Sequence, residues 1–227
     1  MSKLCIGFLG KSGVGKTTAA SRIADRLPMV SVIGFADPLR DLIGDVFTRP
    51  EKVQQAKAMR GLLFPSKYSI EKHCIGDWKR FAMEAIGHNL KSWRGESLLV
   101  DYVIHSEDDM QASAMIDEDD YSMPEVFIHP DVRYPAELSH CDLVIAMILD
   151  GDSSADAAIS PLVEKMLSEE SGFVDHCADV MRPGTELHMA RMGTREELST
   201  VVEEIVMQFL TNKQSRLSRA FQEQVQG

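Results

Sequence analysis

The sequence predicts an α/β fold in which a five-stranded parallel sheet is flanked by helices. Three observations carry that expectation. The run Gly10-Lys11-Ser12-Gly13-Val14-Gly15-Lys16-Thr17 fits G-x-x-x-x-G-K-[ST] at every fixed position. A short apolar stretch precedes it and an amphipathic helical pattern follows it, the strand, loop and helix order that such a run requires. Downstream, apolar runs alternate with helical patterns, as in a parallel sheet covered on both faces.

The first strand is Leu4-Cys5-Ile6-Gly7-Phe8-Leu9, apolar throughout as a doubly buried strand must be. In the loop after it, glycines allow a tight turn and bring several N–H groups close to a polyanion. The helix predicted over 15–27 adds the positive end of its dipole and stops before Pro28. Lys16 is placed to reach β- and γ-phosphates, and the Thr17 hydroxyl to ligate Mg²⁺. The loop implies binding of a nucleoside triphosphate and leaves the acceptor of any phosphoryl group open.

Further strands are expected at 29–33, 126–129, 143–148 and 186–190. Helices are expected at 38–47, 51–60, 78–89, 96–105 and 194–210, with Leu98-Leu99-Val100 also readable as a strand. About ninety residues separate the second and third strands, far more than a crossover needs. They predict a helical insertion over 48–123, above the carboxyl edge of the sheet where ligands bind in such folds. Its acidic runs, Glu107-Asp108-Asp109 and Asp117-Glu118-Asp119-Asp120, read as a solvated, mobile loop in preference to a metal site, and no spacing there matches a calcium loop. The segment 150–183 reads as a lid that would exclude water, or equally as a plain connecting helix. The tail, 212–227, is polar and reads as a short amphipathic helix or a frayed end. One domain, 1–227, without internal repeats is expected.

The chain has 227 residues and a formal charge of −11, with a pI near 5.1. Such a surface repels duplex phosphates, so general nucleic-acid binding is disfavoured. Cys5, Cys74, Cys141 and Cys177 form no C-x-x-C pair, which indicates neither a zinc site nor a disulfide framework; Cys5 and Cys141 read as core thiols. No signal-peptide pattern and no run of membrane-spanning length is seen, so a soluble, cytoplasmic protein is expected. A homodimer is left open.

Three further stretches bear on the acceptor. In Phe35-Ala36-Asp37-Pro38-Leu39-Arg40, Arg40 would stand on the first turn of a helix, gripping a phosphate or simply lying on a surface. Arg80, Glu84 and His88 recur at four-residue steps and share a helix face, where an ion pair alone accounts for the first two. The stretch Val126-Phe127-Ile128-His129-Pro130-Asp131-Val132-Arg133-Tyr134-Pro135-Ala136-Glu137 places Asp-x-Arg just past a strand. Asp131 there can hold the water shell of magnesium or orient an acceptor, and Arg133 can neutralise a transferring phosphoryl group.

The loop, F-A-D-P-L-R, R-x-x-M-E-x-I-G-H and H-P-D-V-R-Y-P-A-E occur in the order seen in the deoxynucleoside monophosphate kinases of tailed phages. Met192-Gly193-Thr194-Arg195-Glu196-Glu197-Leu198 is similar to that family's ending. The chain resembles the family over most of its length. The resemblance implies a P-loop kinase with a helical insertion and a lid, acting in the host cytoplasm if phage-encoded. It implies donor contacts at Lys11, Gly13, Gly15, Lys16, Thr17 and Thr18, with Ser12 and Val14 in the same loop. Acceptor contacts fall on Leu39, Arg40, Arg80, Gly87, His88, Asp131, Arg133 and Glu137, with Arg60 and Arg94 as looser candidates. Lys16, Asp131 and Arg133 then carry catalysis. His88 departs from the small hydroxyl residue the family tends to have, and Tyr134-Pro135 replaces a more polar pair; both touch the acceptor pocket.

The implied reaction moves the γ-phosphoryl group of ATP, with Mg²⁺, to a (deoxy)nucleoside monophosphate. Two alternatives stay open on the sequence. One is a kinase of another acceptor, such as a hydroxymethylated pyrimidine in DNA, which the net charge disfavours. The other is a nucleotide-dependent switch or ATPase module, although no N-K-x-D guanine-reading element is present.

Overall fold

The computed structural model describes residues 3–37, 95, 97–116, 126–151, 161–168 and 170–226. Its strands are β1 (Leu4–Leu9), β2 (Val30–Val32), β3 (Val126–Val132), β4 (Leu143–Leu149) and β5 (Glu186–Met192), all parallel, in the order β2-β3-β1-β4-β5. The described helices are α1 (Lys16–Arg26), α2 (Leu98–Ile116), α3 (Pro135–Leu138), α4 (Pro161–Ser168), α5 (Glu170–Val180) and α6 (Arg195–Gln226).

The apolar strands are explained by burial on both faces. On one face Ile6 and Phe8 of β1, Ile128 of β3 and Leu143, Ile145 and Met147 of β4 join one core with α1 and α6, which contribute Ala19, Ala20, Ile23, Leu198, Val202 and Phe209. The intervening residues Cys5, Leu9, Phe127, Val144 and Ala146 point the other way and are buried too. A strand that must satisfy two cores has no room for alternating polar residues. The ion pairs Arg22–Glu196 and Arg26–Glu203 also join α1 to α6. They are exposed on at least one side and add little beside the apolar packing.

The chain runs from β1 past the place of β3 to β2, returns to β3, and then crosses β1 to reach β4. Connections therefore leave the carboxyl ends of β1 and β3 in opposite directions. A crevice opens at such a reversal in an open parallel sheet.

All five expected strands are present, with β3 running on to Val132 and β5 to Met192. The helix expected at 96–105 is instead α2, which removes the strand alternative for Leu98-Leu99-Val100. The acidic run Glu107-Asp108-Asp109 lies on this helix and is not a solvated loop, while 117–120 falls outside the described residues. The reason is helical spacing: Leu99, Val100, Val103 and Glu107 share the buried side of α2. The tail continues α6 as helix up to Gln226. Within 150–183, α4 and α5 pack on each other. The helices expected at 38–47, 51–60 and 78–89 lie outside the described residues.

The chain divides into two compact units, Met1–Gly34 with Ser106–Gly227, and Phe35–His105. The second starts and ends earlier than the insertion expected over 48–123. The complete sheet belongs to the first unit. No helix among the described residues is long and apolar enough to cross a membrane.

Candidate functional site

Where β1 ends, Gly10 carries the chain past β4 so closely that an added Cβ would stand 2.7 Å from the Met147 carbonyl oxygen. Only glycine lets the two backbones approach in this way. Val14 then anchors the loop by burying its side chain in the core, while Ser12 and Gly13 stay exposed. Gly13 and Gly15 adopt φ values of +84° and +106°, a left-handed backbone that strains any other residue. Gly15 is the N-cap of α1, which has no side-chain cap and no acidic residue in its first turn. Among the described residues no side chain caps the N-terminus of α1, so its first-turn N–H groups and the positive end of its dipole lie at the loop. Thr17 and Thr18 are exposed on this turn.

Lys16 bends back over the loop. Its Nζ donates to the carbonyl oxygens of Gly10 and Lys11, both at 2.7 Å. Burial, and after it the positive charge of Arg133, lowers its ammonium from the usual 10.5 to about 8, while Asp131 opposes that fall. Lys16, Asp131 and Arg133, expected together from the sequence, therefore act on one another at the carboxyl ends of β1 and β3.

The register of β3 explains how. Gly7 lies opposite His129 but Leu9 opposite Val132, so β3 carries one extra residue over this interval. Such a bulge bends the strand and re-aims its side chains. Asp131 consequently sits inside the strand and is buried, where a position past its end was expected; Arg133 follows the last strand residue and is exposed. Glu137, expected among the acceptor contacts, is buried with its Oε2 accepting from the N–H groups of Arg133 at 2.6 Å and Tyr134 at 3.2 Å. It closes the start of α3, with Pro135 at the first turn, and so holds the Asp-x-Arg backbone in place.

Arg195, assigned no role on the sequence alone, opens α6 and reaches the loop: a Cβ on Gly13 would stand 3.8 Å from its Nη2. Its signal was the position of a cation on the first turn after β5. Leu39, Arg40, Arg60, Arg80, Gly87, His88 and Arg94 lie outside the described residues. Chemically, a glycine-rich loop at a helix N-terminus, a desolvated lysine and an arginine just past the neighbouring strand can collect and neutralise oxyanions.

No protein-family model matches the chain, and no curated protein matches it significantly.

Proposed function

We propose that the protein is an ATP-dependent kinase of P-loop type, moving the γ-phosphoryl group to a (deoxy)nucleoside monophosphate. The observation that carries this reading is Lys16, held over the Gly10 and Lys11 carbonyls at the helix N-terminus and coupled electrostatically to Asp131 and Arg133. The sheet order, with a reversal beside β1, and the phage-kinase resemblance support it.

An oxygen of the acceptor phosphate attacks the γ-phosphorus, the bond to the β–γ bridging oxygen breaks, and ADP leaves with that electron pair. The attacking phosphate is already ionised at neutral pH, so no strong base is needed. What the chain must supply is position and countercharge. Backbone N–H groups of 10–17 cradle the donor, Lys16 moves from carbonyls to phosphate oxygens, and Arg133 offsets charge on the transferring group. The exposed Thr17 hydroxyl and the buried Asp131 carboxylate are hard oxygen donors that fit Mg²⁺, which would neutralise phosphate charge. Arg195 stands beside the same loop as a further countercharge for the donor.

A coupled ADP-release assay with ATP and Mg²⁺ tests the reading across ribo- and deoxynucleoside monophosphates, with hydroxymethylated duplex DNA as a separate lane. Turnover on free monophosphates is expected, falling by about a hundredfold or more in Arg133→Ala. Signal confined to the DNA lane would replace the acceptor, and ADP release indifferent to every acceptor would replace the kinase reading with an ATPase.

A further inference from the structure

Cys5, Glu107, His129 and His140 converge inside the first unit, from β1, α2, β3 and the turn between α3 and β4. All four are buried, and one ligand atom from each lies within 4.8 Å of the rest. The Nε2 atoms of His129 and His140 both stand 3.0 Å from Glu107 Oε1. Cys5 Sγ lies 4.0 Å from Glu107 Oε2, the oxygen that also meets Lys3 Nζ at 3.1 Å.

The two rings do not stand in equivalent settings. His129 Nδ1 is 2.8 Å from the Ile33 carbonyl oxygen, which can only accept, so Nδ1 carries a proton. In a neutral ring Nε2 is then a lone pair, and it faces a carboxylate oxygen. Two lone pairs at that distance repel. The geometry calls for positive charge between them, either a second proton on Nε2 or a cation bound by both groups.

We propose that Cys5, Glu107, His129 and His140 form a structural site for a divalent transition-metal ion of the zinc type, separate from the nucleotide loop. Thiolate, two imidazoles and one carboxylate are a donor set for a tetrahedral, borderline-soft ion, and a closed set of four is the structural form. The Nδ1 proton of His129 on a backbone carbonyl is the outer contact that orients a ligating imidazole. Lys3, itself paired with Asp108 at 2.5 Å, occupies Oε2 and leaves Oε1 for the ion. Charge also balances: one thiolate and one carboxylate neutralise a 2+ ion, which lets the centre be buried. A second proton on His129 would balance Glu107 equally well, with the Cys5 thiol then a weak donor to Glu107 Oε2, so metal content decides between the two. Loading releases the Cys5 proton and any second proton on His129.

Ligand atoms around such an ion lie roughly 3.3–3.8 Å apart for bonds of 2.0–2.3 Å. The four ligand atoms lie within 4.8 Å of one another, so binding would require the site to contract by about 1 Å at its widest. The ion would stitch the second half of α2 and the α3–β4 turn to the sheet. His129 also stands two residues before Asp131, so the site would fix one end of the β3 bulge.

The test uses the full chain, expressed with zinc, dialysed into metal-free buffer and analysed for metal content and melting temperature. One zinc per chain is expected, with a strong chelator lowering the melting temperature and zinc, but not magnesium, restoring it. The cobalt-loaded protein should show a thiolate-to-metal charge-transfer band that disappears in Cys5→Ser. Wild-type protein without stoichiometric zinc and indifferent to chelator and zinc would overturn the proposal and leave a proton-held Glu–His cluster. A cobalt protein lacking the thiolate band, or one keeping it unchanged in Cys5→Ser, would equally overturn this assignment of the ligands. Because the wild-type measurements decide the matter alone, a variant that fails to fold does not shelter the proposal.

Discussion

Lys16 is held in a state that costs the folded protein stability. Its folded value, about 8, lies below the ordinary 10.5, so between those limits the unfolded chain binds a proton that the folded chain has released. Stability from this group therefore rises with pH through that window and is at its least favourable below pH 8. Bound phosphates would reverse the sign by favouring the ammonium. Lys16→Met is accordingly expected to lose about a hundredfold or more in turnover with no fall in melting temperature. A clear fall in calorimetry would show that the ammonium stabilises the free protein. ATP binding near pH 8 should also take up protons, visible as binding enthalpies that differ between buffers of different ionisation heat; identical enthalpies would count against Lys16 as the phosphate ligand. At Gly10 the constraint is space: Gly10→Ala places a carbon against the Met147 carbonyl. We expect a loss of about 1–3 kcal/mol in urea unfolding together with lost nucleotide binding.

At the scale of the element, the turn from β3 into α3 decides where Arg133 stands. Glu137 ties down two backbone N–H groups there, and its removal leaves them without that acceptor. Glu137→Ala should lose about 1–3 kcal/mol of stability and roughly tenfold or more in turnover, whereas Glu137→Gln, which keeps an accepting oxygen, should retain most of both. Equal loss in the two variants would mean that the negative charge itself meets the substrate. The same element shows what a sequence can and cannot reveal. Asp131 and Arg133 were legible because the motif is local and sits after an apolar run. The bulge that buries Asp131 was not, because it is a property of register between β1 and β3. In α2, three consecutive acids looked like a solvated loop, since nothing in the string says that Glu107 meets imidazoles. Its partner Cys5 is 102 residues away and His140 is 33 away, so no spacing marks the cluster.

For the whole molecule, the centre of the sheet was readable because β1, β3 and β4 are buried on both faces and are largely apolar runs, whereas the edge strand β5 is mixed in sequence and partly exposed. The order β2-β3-β1-β4-β5 came only with the structure, and it is this order that sets the glycine loop beside the Asp-x-Arg turn. The net charge of −11 acts at the same scale: on the proposed reading a phosphate site would be local, with Lys16, Arg133 and Arg195 as its cations. Binding to unmodified duplex DNA should accordingly be undetectable by mobility shift at physiological salt, and tight retention would contradict a small-nucleotide acceptor. The most direct measurement is chromatographic product analysis of ATP, Mg²⁺ and a deoxynucleoside monophosphate mixture incubated with the protein. The kinase reading requires ADP and the deoxynucleoside diphosphate to appear in equal amounts, with neither formed by Lys16→Met. ADP accompanied by inorganic phosphate, unchanged when the monophosphate is left out, would contradict it.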